Sequence, residues 1–288
     1  MAIASLTAIN IFPVKSLGGV PAAQAEVEPW GLRQDRRWLV LNHEGTVLTA
    51  RAERRMLGVT ARSLDDSAIE LTARGGSRLR VATPVAGEVV STNLSRLESV
   101  RAASIDADDW LSNELDRPVR LCWLDDPGRR TISLDHGGRP GEPLNLSDAG
   151  PVLLTSSASL AQLNEWMAED AHERGADAPA PVRMDRFRPT VVVDGISAAF
   201  VEDDWKQVRI GGVEFRFAER CDRCVLTTID PQTLEMGKEP LRTLARHRQW
   251  DHKTFFGIRV IPAGTGTIHV GDAVTAIRRA SEREIDAP

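Results

Sequence analysis

The chain has 288 residues, of which 42% are hydrophobic and 27% charged, and its formal net charge is −5. This composition is ordinary for a globular protein long enough for two domains, and the negative charge argues against a general nucleic-acid binder, which is normally basic. Without an 18-residue apolar run or a signal-peptide pattern, neither a membrane span nor secretion is expected, and three cysteines favour a reducing compartment, by default the cytoplasm.

Short strands are predicted to dominate the first third of the chain. Runs rich in apolar or β-branched residues alternate with turn signals such as Gly75-Gly76-Ser77, which is the rhythm of a small sheet or barrel. A capped helix is predicted to begin near Asp106, and Val119–Leu124 follows it as a strand. The earlier predicted strands are Leu6–Phe12, Arg37–Asn42, Thr46–Thr49, Leu57–Ala61, Ile69–Ala73 and Leu79–Val81.

A long stretch rich in Gly, Pro and Arg lies between Asp125 and Pro143. A connection of this length is either mobile or part of a functional site. The sequence therefore predicts a domain boundary near residue 125, which divides the chain into residues 1–125 and 126–288.

Strands and two helices are predicted for the rest of the chain. Apolar residues at three- and four-residue spacing indicate a helix from Ala158 to about His172, and a second helix spans about Pro240–Arg248. The predicted strands are Val152–Thr155, Thr190–Val193, Gln207–Ile210, Val213–Phe217, Val225–Ile229, Phe255–Ile261 and Thr267–Ile277. The last dozen residues are charged and are predicted to fray. The fold class indicated is α+β, mostly β.

Two of the three cysteines lie in the stretch Arg220-Cys221-Asp222-Arg223-Cys224. A thiolate is a soft metal ligand and neighbouring cations lower a thiol's pKa, so this stretch is suited to a soft metal. A closed zinc site needs four ligands, and neither a second cysteine pair nor finger-type histidines accompany these two. A thioredoxin-type pair would open a helix, whereas Val225–Ile229 is predicted to be a strand. From the spacing alone, a structural or incidental pair of cysteines is as well supported as a functional pair.

The stretch over residues 221–231, Cys-Asp-Arg-Cys-Val-Leu-Thr-Thr-Ile-Asp-Pro, resembles the signature of the MOSC-domain molybdenum enzymes. That family includes bacterial members and the mitochondrial amidoxime-reducing component. Six further phrases resemble the family and follow its order over nearly the whole chain. They are Ile11-Phe12-Pro13-Val14-Lys15-Ser16, Gly31-Leu32-Arg33-Gln34-Asp35-Arg36-Arg37-Trp38-Leu39-Val40, Arg186-Phe187-Arg188-Pro189, Glu202-Asp203-Asp204-Trp205, Phe255-Phe256-Gly257-Ile258 and Gly266-Thr267-Ile268-His269-Val270-Gly271-Asp272.

The resemblance implies a fold and a cofactor. The fold is an amino-terminal MOSC-type β-barrel domain (1–125) packed on a MOSC β-barrel domain (126–288) with a few peripheral helices. The cofactor is molybdenum held by a pterin dithiolene that carries a phosphate. Cys224 matches the family's molybdenum ligand, and Cys221 matches a position that is not the ligand. The implied cofactor-binding residues are Lys15, Ser16, Arg36, Asp148, Gly150, Arg188 and Thr190. Arginine suits such a role because its planar fork grips phosphate bidentately and stays charged.

The chain departs from the family pattern at two places in this implied site. Thr190 stands where the amidoxime-reducing proteins have Asn, so one of the amide's two hydrogen bonds is lost. Ala149-Gly150 replaces a Thr-Ser pair, so only contacts through backbone amides are retained there. Considered without the family, Arg36 could instead pair with Asp35 or Glu28, and Cys224 could be a small buried residue at a strand edge.

The function implied by the resemblance is reduction of N-hydroxylated compounds such as amidoximes, hydroxylamines and N-hydroxylated bases. No cluster of four cysteines for an iron–sulfur domain is present, so electrons are expected from separate proteins, a flavin reductase with a ferredoxin or cytochrome. The alternative is a non-catalytic carrier of sulfur or molybdenum cofactor, because MOSC domains also occur in cofactor sulfurases. Lys15, Arg36 and Arg188 together favour the enzyme. A two-domain binding protein without metal is the third possibility, and no nucleic-acid or membrane partner is expected.

Overall fold

The computed structural model describes residues 4–278, so the charged end that is predicted to fray lies, from residue 279 onward, outside the described residues. Strands hold 39% of the residues and helical segments 21%, which confirms the fold class α+β, mostly β. The strands that precede residue 125 are β1 (Ser5–Ile11), β2 (Val20–Ala22), β3 (Gln24–Glu28), β4 (Gly31–Leu32), β5 (Trp38–Asn42), β6 (Val47–Leu48), β7 (Val59–Asp65), β8 (Ala68–Ala73), β9 (Arg78–Ala82), β10 (Val89–Ser91), β11 (Ser99–Ala102) and β12 (Val119–Trp123).

The strands that follow residue 125 include the longest ones. They are β13 (Val152–Ser156), β14 (Val191–Asp194), β15 (Trp205–Ile210), β16 (Val213–Arg223), β17 (Gln249–Trp250), β18 (Lys253–Pro262), β19 (Gly266–His269) and β20 (Val274–Arg278). Short 3₁₀ turns occur at Arg54–Gly58, Pro127–Arg129, Leu134–His136, Met184–Phe187, Val201–Asp204 and Val225–Thr228.

The three α-helices of the described residues are α1 (Ile105–Leu115), α2 (Ser157–Glu173) and α3 (Leu241–His247). Ser104 caps α1 by accepting a hydrogen bond from the backbone N–H of Ala107, and Ser156 caps α2 in the same way through Ser159. The predicted helices are therefore confirmed within one or two residues.

The main sheet has the strand order β2-β1-β14-β13-β18-β16-β15-β20, with β17 paired to β18. β13 and β14 run parallel, and α2 supplies the crossover that a parallel pair requires. The other pairs are antiparallel. Because β1 pairs with β14, the start of the chain lies beside the sheet of the second half. The boundary predicted near residue 125 stays a prediction.

Three smaller sheets complete the fold, in the orders β10-β11-β12-β5-β6, β19-β3-β4 and β7-β8-β9. One hydrophobic core joins α1 to strands β5, β7, β8 and β12, and includes the buried side chains of Trp38, Met56 and Leu111. A second core lies against the main sheet, with Leu154 and Phe215 at its centre.

Two predicted strands are wrong in detail. Val225–Ile229 is predicted as a strand, but Val225–Thr228 forms a 3₁₀ turn because the hydroxyls of Thr227 and Thr228 donate to the carbonyls of Cys224 and Val225. The segment Thr267–Ile277 is two strands rather than one. Gly271, with φ of 97°, forms the turn between β19 and β20, and Asp272 accepts a hydrogen bond from the N–H of His269.

Candidate functional site

One cavity brings together all the residues that the sequence marks as a site. Its walls come from the loop after β1, the turn before β5, the loop before β13, the turn before β14 and the end of β16. The predicted residues that line it are Lys15, Ser16, Arg36, Asp148, Gly150, Arg188, Thr190 and Cys224, together with Cys221. Their assigned roles in cofactor binding stay predictions, but their convergence from five separate segments is a property of the fold.

Arg36 and Arg188 lie over one aromatic ring. Their guanidinium carbons are 4.6 Å and 4.4 Å from the ring centroid of Phe12, a geometry that favours cations. Gly19 lets Phe12 occupy this place, because a Cβ at residue 19 would lie 2.5 Å from the ring and 2.3 Å from the carbonyl oxygen of Ile11. Phe12 and Gly19 are positioning residues that the sequence interpretation missed.

The two arginines differ in their partners. Arg36 Nη1 contacts the carboxylate of buried Asp35 at 2.5 Å and donates to Thr190 Oγ1 at 3.1 Å. Arg188 donates to the carbonyl oxygen of Leu17 at 2.7 Å and forms no ion pair with a carboxylate of residues 4–278. Burial, followed by the repulsion from Arg36, lowers the pKa of Arg188 to about 9, so its side chain is still cationic at neutral pH.

Three cavity residues adopt a backbone conformation that side chains disfavour. Ser16, Arg36 and Arg188 have φ values of 69°, 47° and 54°. Each such residue costs roughly 1–3 kcal/mol and persists only where the surroundings enforce it. Arg36 is held by its N–H bond to the carbonyl of Phe12, and Arg188 closes the 3₁₀ turn that precedes β14. Three of the ten non-glycine residues with positive φ in the described chain therefore line the cavity, and two of the three are arginines.

Lys15 and Asp148 form an ion pair across the cavity wall, and Lys15 Nζ also donates to the carbonyl of Leu146 at 2.8 Å. Burial lowers the pKa of Lys15, and Asp148 opposes that effect. Lys15 in turn holds the pKa of Asp148 well below its usual range. The backbone N–H groups of residues 148–150 donate to no acceptor within the described part of the chain, so three consecutive amides are available to an anion.

The contacts around residues 150 and 190 explain why a glycine and a threonine stand there. A Cβ on Gly150 would lie 2.9 Å from the Cβ of Arg259, so only glycine lets the Arg259 side chain pass. Thr190 is fully buried, and its hydroxyl oxygen accepts hydrogen bonds from Arg36 and from the N–H of Leu153. The hydroxyl therefore orients Arg36, and its own proton remains available to one acceptor.

The two cysteines lie in different environments. Cys221 is 4% exposed, and its Sγ accepts a hydrogen bond from Arg223 Nη1 at 3.0 Å. Cys224 is only half-buried and begins the 3₁₀ turn that replaces the predicted strand. Because that turn has only four residues, it is not the α-helix that a thioredoxin-type pair opens. Cys224 is thus the accessible thiol of the pair.

Arg223 and Arg259 also line the cavity. The sequence interpretation gave Arg223 as a cation that could keep the site electropositive, with an exposed turn arginine as the alternative, and it did not consider Arg259. Arg223 donates to Cys221 and to the carbonyl of Phe187 at 2.8 Å, and its buried Nε has no partner within residues 4–278. Arg259 contacts Glu219 at 2.6 Å and Asp222 at 2.7 Å. An arginine inside the apolar run of β18 was the available signal for Arg259.

Within residues 4–278, no three His, Cys, Asp or Glu side chains are placed to hold a metal ion. A closed zinc site, with four such ligands, is therefore not found in this part of the chain. A metal that arrives with its own sulfur ligands needs only one thiolate from the protein.

Two family models match the chain. The MOSC N-terminal beta barrel domain matches residues 3–118, and the MOSC domain matches residues 141–275. Mitochondrial amidoxime-reducing component 1 of Homo sapiens is 34% identical over 92% of this chain and 80% of its own length. Mitochondrial amidoxime reducing component 2 of Homo sapiens is 31% identical over 92% and 81%. A solved structure of the YUAD protein from Bacillus subtilis aligns over 96% of this chain and 98% of its own, with a TM-score of 0.42 and 10% identity.

Cys224 should be the most reactive cysteine of the native protein without cofactor. Cys224 is half-buried and lines the cavity, whereas Cys221 is buried. Cys122 is also buried, and burial raises the pKa of its thiol to about 12. Brief alkylation with iodoacetamide should modify Cys224 first, and cleavage after Arg223 places the two neighbouring cysteines on different peptides for mass spectrometry. Modification of Cys221 as fast as Cys224 would contradict this geometry.

Proposed function

The chain belongs to the MOSC-domain family that includes the mitochondrial amidoxime-reducing components, and from this membership we propose that it is a molybdenum-cofactor-dependent oxidoreductase that reduces N-hydroxylated compounds. The substrates proposed are amidoximes, hydroxylamines and N-hydroxylated bases. The proposal extends to this chain the activity that its relatives' names describe.

One observation supports the proposal most directly. The accessible thiol of Cys224 and the cationic groups of Lys15, Arg36 and Arg188 line the same cavity. A thiolate coordinates soft metals, and a group of cationic side chains binds phosphate. A cofactor that carries both a metal and a phosphate needs both kinds of partner in one place.

The charges of the cavity fit an anionic cofactor. Arg188 and Arg223 line it without an ion pair to a carboxylate of the described residues, and the amides of residues 148–150 are free. Arg36 pairs with buried Asp35 and also donates to Thr190 and to the carbonyl oxygen of Arg188, so its Nε–H and one Nη2–H are left for a ligand. We infer that Arg36, Arg188 and the free amides hold the phosphate and pterin, that Lys15 and Ser16 contact them, and that Cys224 ligates the molybdenum.

When bound, this cofactor supplies the two-electron cleavage of an N–O bond, in which two electrons and two protons convert an N-hydroxyl group to an N–H group and water. The residues of the chain provide binding and orientation for that reaction. Phe12 and Asp35 fix the arginines, Thr190 orients Arg36, and Arg223 holds Cys221 away from the accessible position of Cys224. No residue is assigned to proton transfer.

The electron donors proposed are separate proteins, a flavin reductase with a ferredoxin or cytochrome. The location proposed is cytoplasmic, although the relatives reported above are named as mitochondrial. Among residues 4–278 no helix is both long enough and apolar enough to cross a membrane.

The function is tested with full-length protein made in a host that produces the cofactor. Metal and pterin analysis should give about one molybdenum per chain, and reduced viologen should drive reduction of benzamidoxime to benzamidine. NADH alone should give no turnover, because no Gly-rich strand-to-helix turn for a dinucleotide is present. Turnover with NADH alone would refute the need for separate donors. Inactivity of fully loaded protein with every N-hydroxylated substrate would instead support a carrier of sulfur or cofactor.

Replacing the two cysteines should separate their roles. Cys224→Ser should abolish molybdenum-dependent turnover, because a hydroxyl is a harder and far less acidic ligand than a thiol. Cys221→Ser, the matched control three residues earlier in β16, should retain much of the activity. Turnover with reduced viologen and molybdenum content are measured for both variants. Equal losses would mean that the ligand is misassigned or that the two thiols act together.

Arg188→Gln should lower cofactor occupancy without lowering the stability of the cofactor-free protein. A charge-assisted hydrogen bond is worth about 1.5–3 kcal/mol, or roughly one to two decades of affinity. The free protein should lose nothing, because Arg188 is a desolvated cation without a carboxylate partner in the described chain.

The control for Arg188→Gln is Arg33→Gln, which removes an exposed arginine paired with Glu26 and Asp66. Pterin content after gel filtration and the thermal midpoint of cofactor-free protein are measured for both variants. Full cofactor retention by Arg188→Gln would place the phosphate elsewhere.

A further inference from the structure

Arg130 is a fully buried cation in the Gly-, Pro- and Arg-rich stretch between Asp125 and Pro143. It lies between the ranges that the two family models match. The stretch folds back on itself here, because the N–H of Leu144 donates to the carbonyl oxygen of Arg130 at 2.8 Å and Thr131 forms an antiparallel bridge with Pro143. Arg130 is therefore fixed directly beside the loop that supplies the free amides of residues 148–150.

The partners of the Arg130 guanidinium are backbone carbonyl groups. Nη1 donates to the carbonyl oxygens of Asn145 at 2.5 Å and Ser147 at 2.8 Å, and Nε donates to that of Ser95 at 3.1 Å. Within residues 4–278, Arg130 forms no ion pair with a carboxylate, and its buried Nη2 has no partner. Two of its three hydrogen bonds thus go to the loop that carries the free amides.

The positive charge of Arg130 has no carboxylate of its own. Burial, followed by repulsion from Arg96, lowers the pKa of Arg130 to about 10, and Asp148 opposes this effect, so Arg130 is still cationic at neutral pH. Asp148 itself pairs with Lys15. A cation buried in this way costs stability, so its presence is better explained by what it holds in place than by the stability that it adds.

The bonds of Arg130 set the direction of the peptide groups in this loop. In a trans peptide the C=O and the next N–H point in opposite directions, and the one cis bond of the described chain lies elsewhere, at Glu239-Pro240. Because the carbonyl of Ser147 points to Arg130, the N–H of Asp148 points away from it. Residues 148–150 line the cavity, whereas Arg130 itself does not.

A second cation acts on the same loop from another side. Lys15 Nζ binds the carbonyl oxygen of Leu146, which lies between the two carbonyl groups that Arg130 binds. The carbonyls of residues 145, 146 and 147 therefore all face cations, and the N–H groups of residues 148–150 that follow them have no acceptor in the described part of the chain. This is an arrangement in which consecutive amides can receive an anion.

We propose that Arg130 is a positioning residue for the anion site, because it holds the carbonyls of Asn145 and Ser147 so that the amides of residues 148–150 face the phosphate of the cofactor. This inference rests on the proposed function for the identity of the ligand. Arg130 acts through the loop and does not touch the ligand. Arginine suits the role because its planar fork reaches three carbonyls at once, which the compact ammonium of lysine does not match.

The test uses the full chain without cofactor, and inorganic phosphate as the probe. Calorimetry gives the dissociation constant of phosphate, and amide NMR spectra give the hydrogen-exchange rates of residues 148–150 with and without saturating phosphate. In the wild-type protein phosphate should slow exchange at these amides. Absence of that slowing would overturn the inference before any variant is made.

Arg130→Gln should bind phosphate roughly tenfold more weakly, because the amides are no longer held in place. Phosphate that still binds through Arg36 and Arg188 should no longer slow exchange at residues 148–150. Arg130→Lys keeps the buried charge and should bind phosphate with an affinity between those of Arg130→Gln and the wild type. Wild-type affinity and slowing in Arg130→Lys would mean that charge alone suffices, and the inference would fail.

Arg129→Gln is the matched control, because it removes the neighbouring exposed arginine, which contacts Asp125 at 2.6 Å and Ser99. It should leave both the affinity for phosphate and the slowing of exchange as they are in the wild type. The thermal midpoint is measured for every variant. A lowered midpoint of Arg130→Gln with unchanged affinity and unchanged slowing would show a structural role only, and would overturn the inference.

Failure of the inference and failure of the proposed function are distinguishable, because the phosphate test needs neither molybdenum nor turnover. Slowing of exchange that depends on Arg130 supports the inference even if the loaded protein reduces no N-hydroxylated compound. Reduction by loaded Arg130→Gln, with wild-type cofactor content and wild-type affinity for phosphate, leaves the proposed function standing and overturns the inference.

Discussion

The burial of cations with too few carboxylates is the constraint on which the site depends. Arg188 and Arg223 face the cavity with carbonyl, sulfur and aromatic partners, and neither reaches a carboxylate of residues 4–278. Taking a charge out of water without a counter-charge is unfavourable, as the lowered pKa of Arg188 reflects. Such an arrangement is reasonable if a ligand supplies the missing negative charge, and an anionic cofactor would do so.

The strand pairing of the fold brings these cations together from distant parts of the chain. β1 belongs to the main sheet beside β14, so Lys15 and Ser16 lie next to the turn that carries Arg188, although more than 170 residues separate them. The strained backbone at Ser16, Arg36 and Arg188 is anchored by short turns at the ends of buried strands. Directly after β16 the chain presents Cys224 to the same cavity, beside Arg223. One cavity thereby combines several cationic side chains with an accessible thiol.

The sequence identified the members of the site better than their interactions. Lys15, Arg36, Arg188 and Cys224 could be identified because each lies in a short sequence phrase that resembles the family. The contacts of Arg259 with Glu219 and Asp222 depend on the register of β16 and β18, which a single sequence does not reveal. The helices were predicted well from their capping and spacing, whereas the turn after Cys224 was taken for a strand because its β-branched threonines hydrogen-bond locally. The roles of the site residues and the domain boundary remain predictions.

The central claim, that the cavity is an anion site whose cations require a ligand, is tested most directly by the thermal midpoint of the full chain without cofactor in inorganic phosphate and in chloride at equal ionic strength. Phosphate should raise the midpoint saturably, by about 1.4 kcal/mol of stabilisation at tenfold the dissociation constant, or a few degrees for a chain of this size. Arg188→Gln should remove most of that increase, and Arg33→Gln should not. Identical midpoints in phosphate and chloride, or an undiminished response of Arg188→Gln, would contradict the claim.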